Sequence, residues 1–214
     1  MDKVEDSVEK VVDVEVVDEK EDDEKLAGEE YVKHPLQNAW TLWFFKNDRT
    51  KGWEENQKEI ITVDTVEDFW SLYNHIELAS RLTPGCDYSI FKKGIKPMWE
   101  DDHNRKGGRW LINLDKKQRS TCLDDFWLEV MLCLIGDTFN QDSELVNGAV
   151  VNIRNKGDKI AMWLCDSKQG ESILKIGSKM KERLGIDAKV KLGFEAHQDT
   201  MNKSGSTAKN KYVV

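Results

Sequence analysis

Residues 147–165 read NGAVVNIRNKGDKIAMWLC. Two stretches of strand-forming residues, 147–154 and 159–165, flank Lys156-Gly157-Asp158. Apolar runs on either side of a short Gly-containing turn predict an antiparallel hairpin. Upstream, residues 109–114 read as a strand, and residues 121–135 as a helix with Gly136 placed as its stop. Downstream, residues 171–184 predict a further helix ending at Gly185, followed by a strand at 189–194 and a polar, Ser- and Lys-bearing segment. Towards the N-terminus the pattern continues. Residues 38–46 and 58–63 read as strands. Asp64 or Thr65 can cap a helix over 66–76, with Glu67 or Asp68 placed for a capping box. Thr83-Pro84-Gly85 marks a turn, and 88–92 a short strand. Residues 93–108 form a long polar loop punctuated by Gly94, Pro97, Gly107 and Gly108. A mostly antiparallel sheet with three helices makes this an α+β domain.

The chain has 214 residues and a formal net charge of −8. Residues 1–30 hold 14 acidic and 4 basic side chains, so the acidity belongs to the tail. The rest is slightly basic and can hold a site for an anion. Residues 1–32 alternate Val with carboxylates that would line one face and repel, which predicts a disordered acidic tail ahead of a domain at 33–214. Cys86, Cys122, Cys133 and Cys165 lack the spacing of a zinc knuckle or redox pair. With no signal segment and no long apolar run, a reduced cytoplasmic or nuclear setting is expected.

Enzyme motifs are missing. There is no Walker loop, dinucleotide fingerprint, metal-binding His pair or nucleophile elbow. A hydrolase of nucleoside diphosphates would need clustered Glu ligands for magnesium on a helix, and none is present. No cofactor is expected.

Eight tryptophans are many for this length. Most suit a core, but two do not. Trp99 stands in Pro97-Met98-Trp99-Glu100-Asp101-Asp102, inside the polar loop, and Trp53 in Lys51-Gly52-Trp53-Glu54-Glu55, a charged link between strands. Two readings stand: parallel walls around a flat ligand, or caps on the core's edge. Walls would stack any base, at about 1–3 kcal/mol each. A cationic ring would gain a further attraction to the indole faces. The neighbouring carboxylate only accepts hydrogen bonds, which suits the adjacent N1–H and N2–H of guanine and repels the N1 lone pair of adenine. Methylation at N7 makes guanine cationic and satisfies both demands. Arg154 and Lys159 flank the hairpin turn, and Arg105, Lys106 and Arg109 follow the Trp99 loop. They suit phosphates, or they are merely solvated.

The segments HPLQNAWTLWFFKND, DTVEDFWSLYNHI, PGCDYSIFKKGIKPMWED, GGRWLI, FWLEVMLCLIG, GAVVNIRNKGDKIAMW and KSGSTAKNKYVV resemble the mRNA cap-binding initiation factor 4E family, from about residue 33 onward. The resemblance implies a curved eight-stranded antiparallel sheet backed by three helices on its convex face. It implies that Trp53 and Trp99 stack the cap, that Glu100 and the Trp99 backbone N–H read the guanine edge, and that Trp163 lies near the N7-methyl group. Arg154 and Lys159 then contact phosphate directly, with Arg109 in support. Gly52 is a departure that frees the Trp53 loop, and Leu164-Cys165-Asp166 is another.

A second surface is legible. On helix 66–76, Phe69, Leu72 and Ile76 share one side, while Val66, Trp70 and Tyr73 lie about 80° away. On helix 121–135, Leu123, Phe126, Val130 and Leu134 form one face, and Leu128, Met131, Leu132 and Ile135 another. A second stripe suits a neighbouring helix or a partner. The resemblance implies that Val66, Trp70 and Leu128, edged by His34, Pro35 and Glu129, receive an amphipathic helix from the scaffold factor 4G or from 4E-binding repressors. Ser206 matches the family's phosphorylation site. The expected protein is a monomeric, non-enzymatic binder of capped mRNA. The alternatives are a paralogue that represses translation by failing to recruit the scaffold, and a cap or nucleotide hydrolase.

Overall fold

The computed structural model describes residues 32–201 and 210–214. The acidic tail, all but Val32, and Ser206 lie outside these residues. Eight strands, β1 (Pro35–Lys46), β2 (Gln57–Thr65), β3 (Cys86–Lys92), β4 (Gly108–Leu114), β5 (Val146–Asn152), β6 (Asp158–Leu164), β7 (Gly193–Ala196) and β8 (Tyr212–Val213), form one sheet in the order β2-β1-β3-β5-β6-β4-β7-β8. Every pairing is antiparallel. Three longer helices, α1 (Val66–His75), α2 (Leu123–Ile135) and α3 (Gly170–Arg183), accompany it.

Strand periodicity assigns the two faces. Tyr88, Ile90, Ala149, Val151, Ile160, Met162, Trp110 and Ile112 join the helices in the main core. Residues one position off, Phe91, Val150, Ala161 and Trp163, form a smaller cluster on the opposite face, with Leu111 and Trp99 packed against it.

The caps follow local chemistry. Thr65 Oγ1 accepts the Asp68 N–H at 3.1 Å, opening α1. Phe69 is 1% exposed and Trp70 38%, so adjacent residues of α1 point to core and solvent. Helix α3 ends where Gly185 takes φ +61°, a left-handed turn that glycine adopts without strain. Gly177 brings α3 onto Trp110: a Cβ there would stand 2.3 Å from the indole. The same indole Nε1–H donates to the Ile173 carbonyl at 3.1 Å.

Several elements differ from the sequence expectation. Gly136 caps α2 as expected, but with a negative φ, and the positive φ falls on Asp137. Trp127, outside both predicted stripes of α2, is buried in the core, while Phe126 is only partly buried. The strand expected at 189–194 begins at Gly193, because the Asp187 side chain accepts the Lys189 N–H at 2.7 Å and turns the chain. Short helices at Trp53–Asn56, Lys116–Arg119 and His197–Met201 complete the described elements, with 3-10 turns at Ala79–Arg81 and Asn140–Leu145. No described helix is long and apolar enough to cross a membrane.

Candidate functional site

On the face opposite the helices lies a cleft with a cavity volume of about 360 Å³. Phe45, Trp53, Gln57, Asp87, Ser89, Pro97, Met98, Trp99, Glu100, Arg109, Val150, Asn152 and Trp163 line it. Trp53, Trp99, Glu100, Trp163 and Arg109, residues singled out from sequence, thus meet in one place. Arg154 and Lys159 do not line the cleft.

Trp53 opens a single helical turn where a loop was expected. It is 48% exposed, and its ring lies 6.0 Å from Phe45 at 36°. The turn is tied, not loose: Gly52 N–H donates to Glu55 Oε2 at 2.8 Å, and the Asn56 amide donates to the Asp48 carbonyl at 2.9 Å.

Trp99 stands on a loop braced from within. Asn104 is fully buried, and its amide donates to the carbonyls of Lys96 (2.8 Å) and Met98 (2.9 Å). Asn147 of β5 donates in turn to Asn104 Oδ1 and to the His103 carbonyl, each at 2.9 Å. Asp101 accepts the N–H groups of Lys96 and His103, also at 2.9 Å. Backbone bonds to its carboxylate hold that acid below its ordinary value against burial, the largest and opposing influence. The outcome leaves Glu100 exposed, and its carboxylate has no hydrogen-bond partner among the described residues.

The basic groups differ in freedom. Arg154 grips both oxygens of Asp87, one through Nη1 and the other through Nη2 at 3.0 Å, and Nη1 also faces the Ile153 carbonyl at 2.9 Å. Burial pushes the Asp87 carboxyl upward while Arg154 pulls it down. Asp158, buried behind the hairpin turn, accepts two bonds from Arg119 at 2.6 and 2.7 Å and the Arg154 N–H at 3.0 Å. Arg109 pairs with Glu195 at 3.2 Å, and its buried Nε has no partner among the described residues. Lys159 is exposed, on the sheet face shared by Ala161 and Trp163.

Sequence reading missed Asp87, Asn104, Asn147 and Glu195. Asn and Asp inside a Gly- and Pro-rich loop were the available signal for the braces. Asp87 and Glu195 gain their meaning only from strand pairing.

On the other side of the sheet, Val66 (36% exposed) and Trp70 stand outward on α1. The Val66 N–H donates to the His34 carbonyl at 2.9 Å, and the His34 ring meets Glu67 at 2.6 Å, next to exposed Pro35. Leu128 and Glu129 are half-buried on α2, with Glu129 held by Arg183 at 2.6 Å. The two helices adjoin through Tyr73, Ile76 and Trp127, which line one crevice. No group of described His, Cys, Asp or Glu residues is arranged to hold a metal ion.

An aromatic cleft with an unengaged carboxylate, cut into the open face of a helix-backed antiparallel sheet, defines a binding module for a flat, polar ring. The family model described as Eukaryotic initiation factor 4E matches residues 35–212. Eukaryotic translation initiation factor 4E of Homo sapiens is 59% identical over 186 residues, covering 87% of this chain and 86% of that protein. Ascaris suum eIF4E-3, solved with an m2,2,7G cap, superposes with a TM-score of 0.81 at 49% identity, covering 86% of this chain and 99% of that one. C. elegans eIF4E-3, solved with the 4E-binding protein Mextli and a cap analog, gives 0.79 at 44% identity, covering 86% and 100%. The chain belongs to the eukaryotic initiation factor 4E family.

Proposed function

We propose that this chain binds the 7-methylguanosine cap at the 5′ end of mRNA and recruits an initiation scaffold, acting as a binder and not an enzyme. One observation carries the reading: Trp53, Trp99 and Glu100 line a single cleft in which the Glu100 carboxylate is unengaged. The tryptophans supply stacking and attraction for a cationic ring. Glu100 accepts guanine N1–H and N2–H, and the Trp99 N–H, which has no backbone acceptor among the described residues, serves O6. Trp163 closes the cleft near the methyl group.

Arg154 has five N–H donors, and its grip on Asp87 leaves Nε–H and one Nη2–H for a phosphate. Asp87 therefore aims the guanidinium. Lys159 adds a mobile charge at the rim, and Arg109 supports from the cleft wall. Val66, Trp70 and Leu128 form the apolar anchor for a scaffold or repressor helix, with His34, Pro35 and Glu129 as its polar edge. Phosphorylation of Ser206, which lies outside the described residues, would add about −1.5 to −2 charges.

Tryptophan fluorescence titration with mono- and trimethylated cap analogues tests the reading. The expected result is saturable quenching by the monomethylated analogue and none by unmethylated GTP at equal concentration. Equal affinity for both would sink it. The trimethylated analogue reports whether this cleft shares the ligand seen with the Ascaris protein. Incubation of a cap dinucleotide with magnesium should yield no product.

A further inference from the structure

Behind Trp99 stands an imidazole. His197 follows β7 directly and is 1% exposed. Its backbone N–H donates to the Gly107 carbonyl at 3.0 Å, which fixes it under the end of the Trp99 loop. The ring centroid lies 4.3 Å from that of Trp163 at 45°, and 6.3 Å from that of Trp99 at 25°. Neither ring nitrogen has a hydrogen-bond partner among the described residues. Burial, reinforced by the Arg109 charge, pushes its pKa down to about 3. The ring is therefore neutral near neutral pH. A polar ring without partners is costly to bury, so its place between two cleft tryptophans calls for an account beyond space filling.

We infer that His197 is a positioning residue for ligand stacking: a flat, neutral ring wedged against Trp163 and behind Trp99 that sets the plane of the Trp99 wall. The inference rests on the cap-stacking reading above. Two physical points support it. Trp99 rises from a loop, and a stacking wall is useful only when its plane is held in register with its partner. A neutral ring behind the indole also leaves the electron-rich faces of Trp99 and Trp163 to a cationic base, whereas an imidazolium there would compete for the same attraction and repel the ligand.

The test is a fluorescence titration with 7-methylguanosine triphosphate on wild type, His197→Ala, His197→Asn and His197→Phe, with a melting curve for each. His197→Ala and His197→Asn should weaken binding about tenfold, the scale of a partly lost stacking contact. His197→Phe should restore affinity to near wild type. If wild type itself does not bind, the cap reading fails. If wild type and His197→Ala bind alike, only the role given to His197 fails. Rescue by Asn but not by Phe would assign the residue to hydrogen bonding and overturn the inference. Where the Ala variant does not fold, the Phe and Asn variants decide. On the unaltered protein, the His197 ring resonances should report a neutral ring and shift on saturation with ligand. Resonances that stay put would also overturn it.

Discussion

Along β3 and β4, neighbouring residues face two different environments. Tyr88, Ile90, Trp110 and Ile112 press against the helices in the main core. Asp87, Ser89 and Arg109, one position away, line the open cleft. On the helix side, shape complementarity closes the surface, as where Gly177 admits Trp110. Buried side-chain nitrogens without partners among the described residues occur on Gln57, Arg109, Trp163 and His197 around the cleft, and unpaired buried polar atoms also occur on Trp43, Tyr88, Trp127 and Ser143. Those around the cleft line or back a cavity of about 360 Å³, where a ligand can meet polar groups that the fold leaves unpaired. Stability and recognition are thus separated by a single residue of register.

The largest expected effect tests the helix side. Phe69→Ala should destabilise the fold by about 3–5 kcal/mol, the range for a deleted core aromatic. Its neighbour Trp70→Ala should leave the melting temperature nearly unchanged, yet weaken a scaffold peptide by about 2 kcal/mol or more. A benign Phe69→Ala beside an unfolding Trp70→Ala would invert the assignment of faces. On the cleft side, Trp99→Ala or Trp53→Ala should weaken cap binding by about 1–3 kcal/mol with less change in melting than Phe69→Ala, because Trp53 is half-exposed and Trp99 packs only on the edge of the smaller cluster. Retention on cap resin at wild-type strength would break the contrast.

Glu100→Gln keeps the shape and turns an acceptor towards a donor, at about 1–3 kcal/mol of affinity. Calorimetry with the methylated nucleotide reads the loss, and undiminished binding would remove Glu100 from the guanine edge. The buried imidazole predicts a sensitivity to acid. An unfolded histidine takes a proton below about pH 6.5, but His197 stays neutral in the fold down to about 3. The unfolded state therefore binds more protons in that window, and stability falls as pH drops through it. At pH 5 the loss is about 2 kcal/mol, and His197→Phe should abolish that component in paired melts at pH 7 and 5. Smallest of all, Lys159→Ala should weaken a triphosphate cap by about threefold and leave the bare methylated nucleoside unaffected, with the difference shrinking as salt rises. Equal losses for both ligands would point to damaged structure.

Much of this was legible in the sequence because it is local. The hairpin at Gly157, the Thr65 cap, the three helices and the aromatic residues in charged loops all announce themselves within a few positions. The strand order and the braces do not. Asn104 and Asn147 are 43 residues apart, and only the folded sheet brings their amides together. The Arg154–Asp87 grip and the His197 wedge likewise depend on pairings that periodicity does not encode. The strand expected at 189–194 failed for the opposite reason. Its β-prone residues were overruled by one Asp side chain that turned the chain first.

The brace beneath Trp99 has a kinetic corollary. Its buried amides tie the loop to β5, so displacing that wall means breaking several hydrogen bonds away from water. Trp53 stands half-exposed on one helical turn held by a surface bond, Gly52 to Glu55, and by the buried Asn56 amide on Asp48, with no tie to a sheet strand comparable to Asn147 among the described residues. The two sides of the cleft are thus a more deeply anchored jaw and a more lightly anchored one. Ligand should enter and leave past Trp53, and its residence time should respond to substitutions at Glu55 and Asn56 well before any in the Trp99 loop.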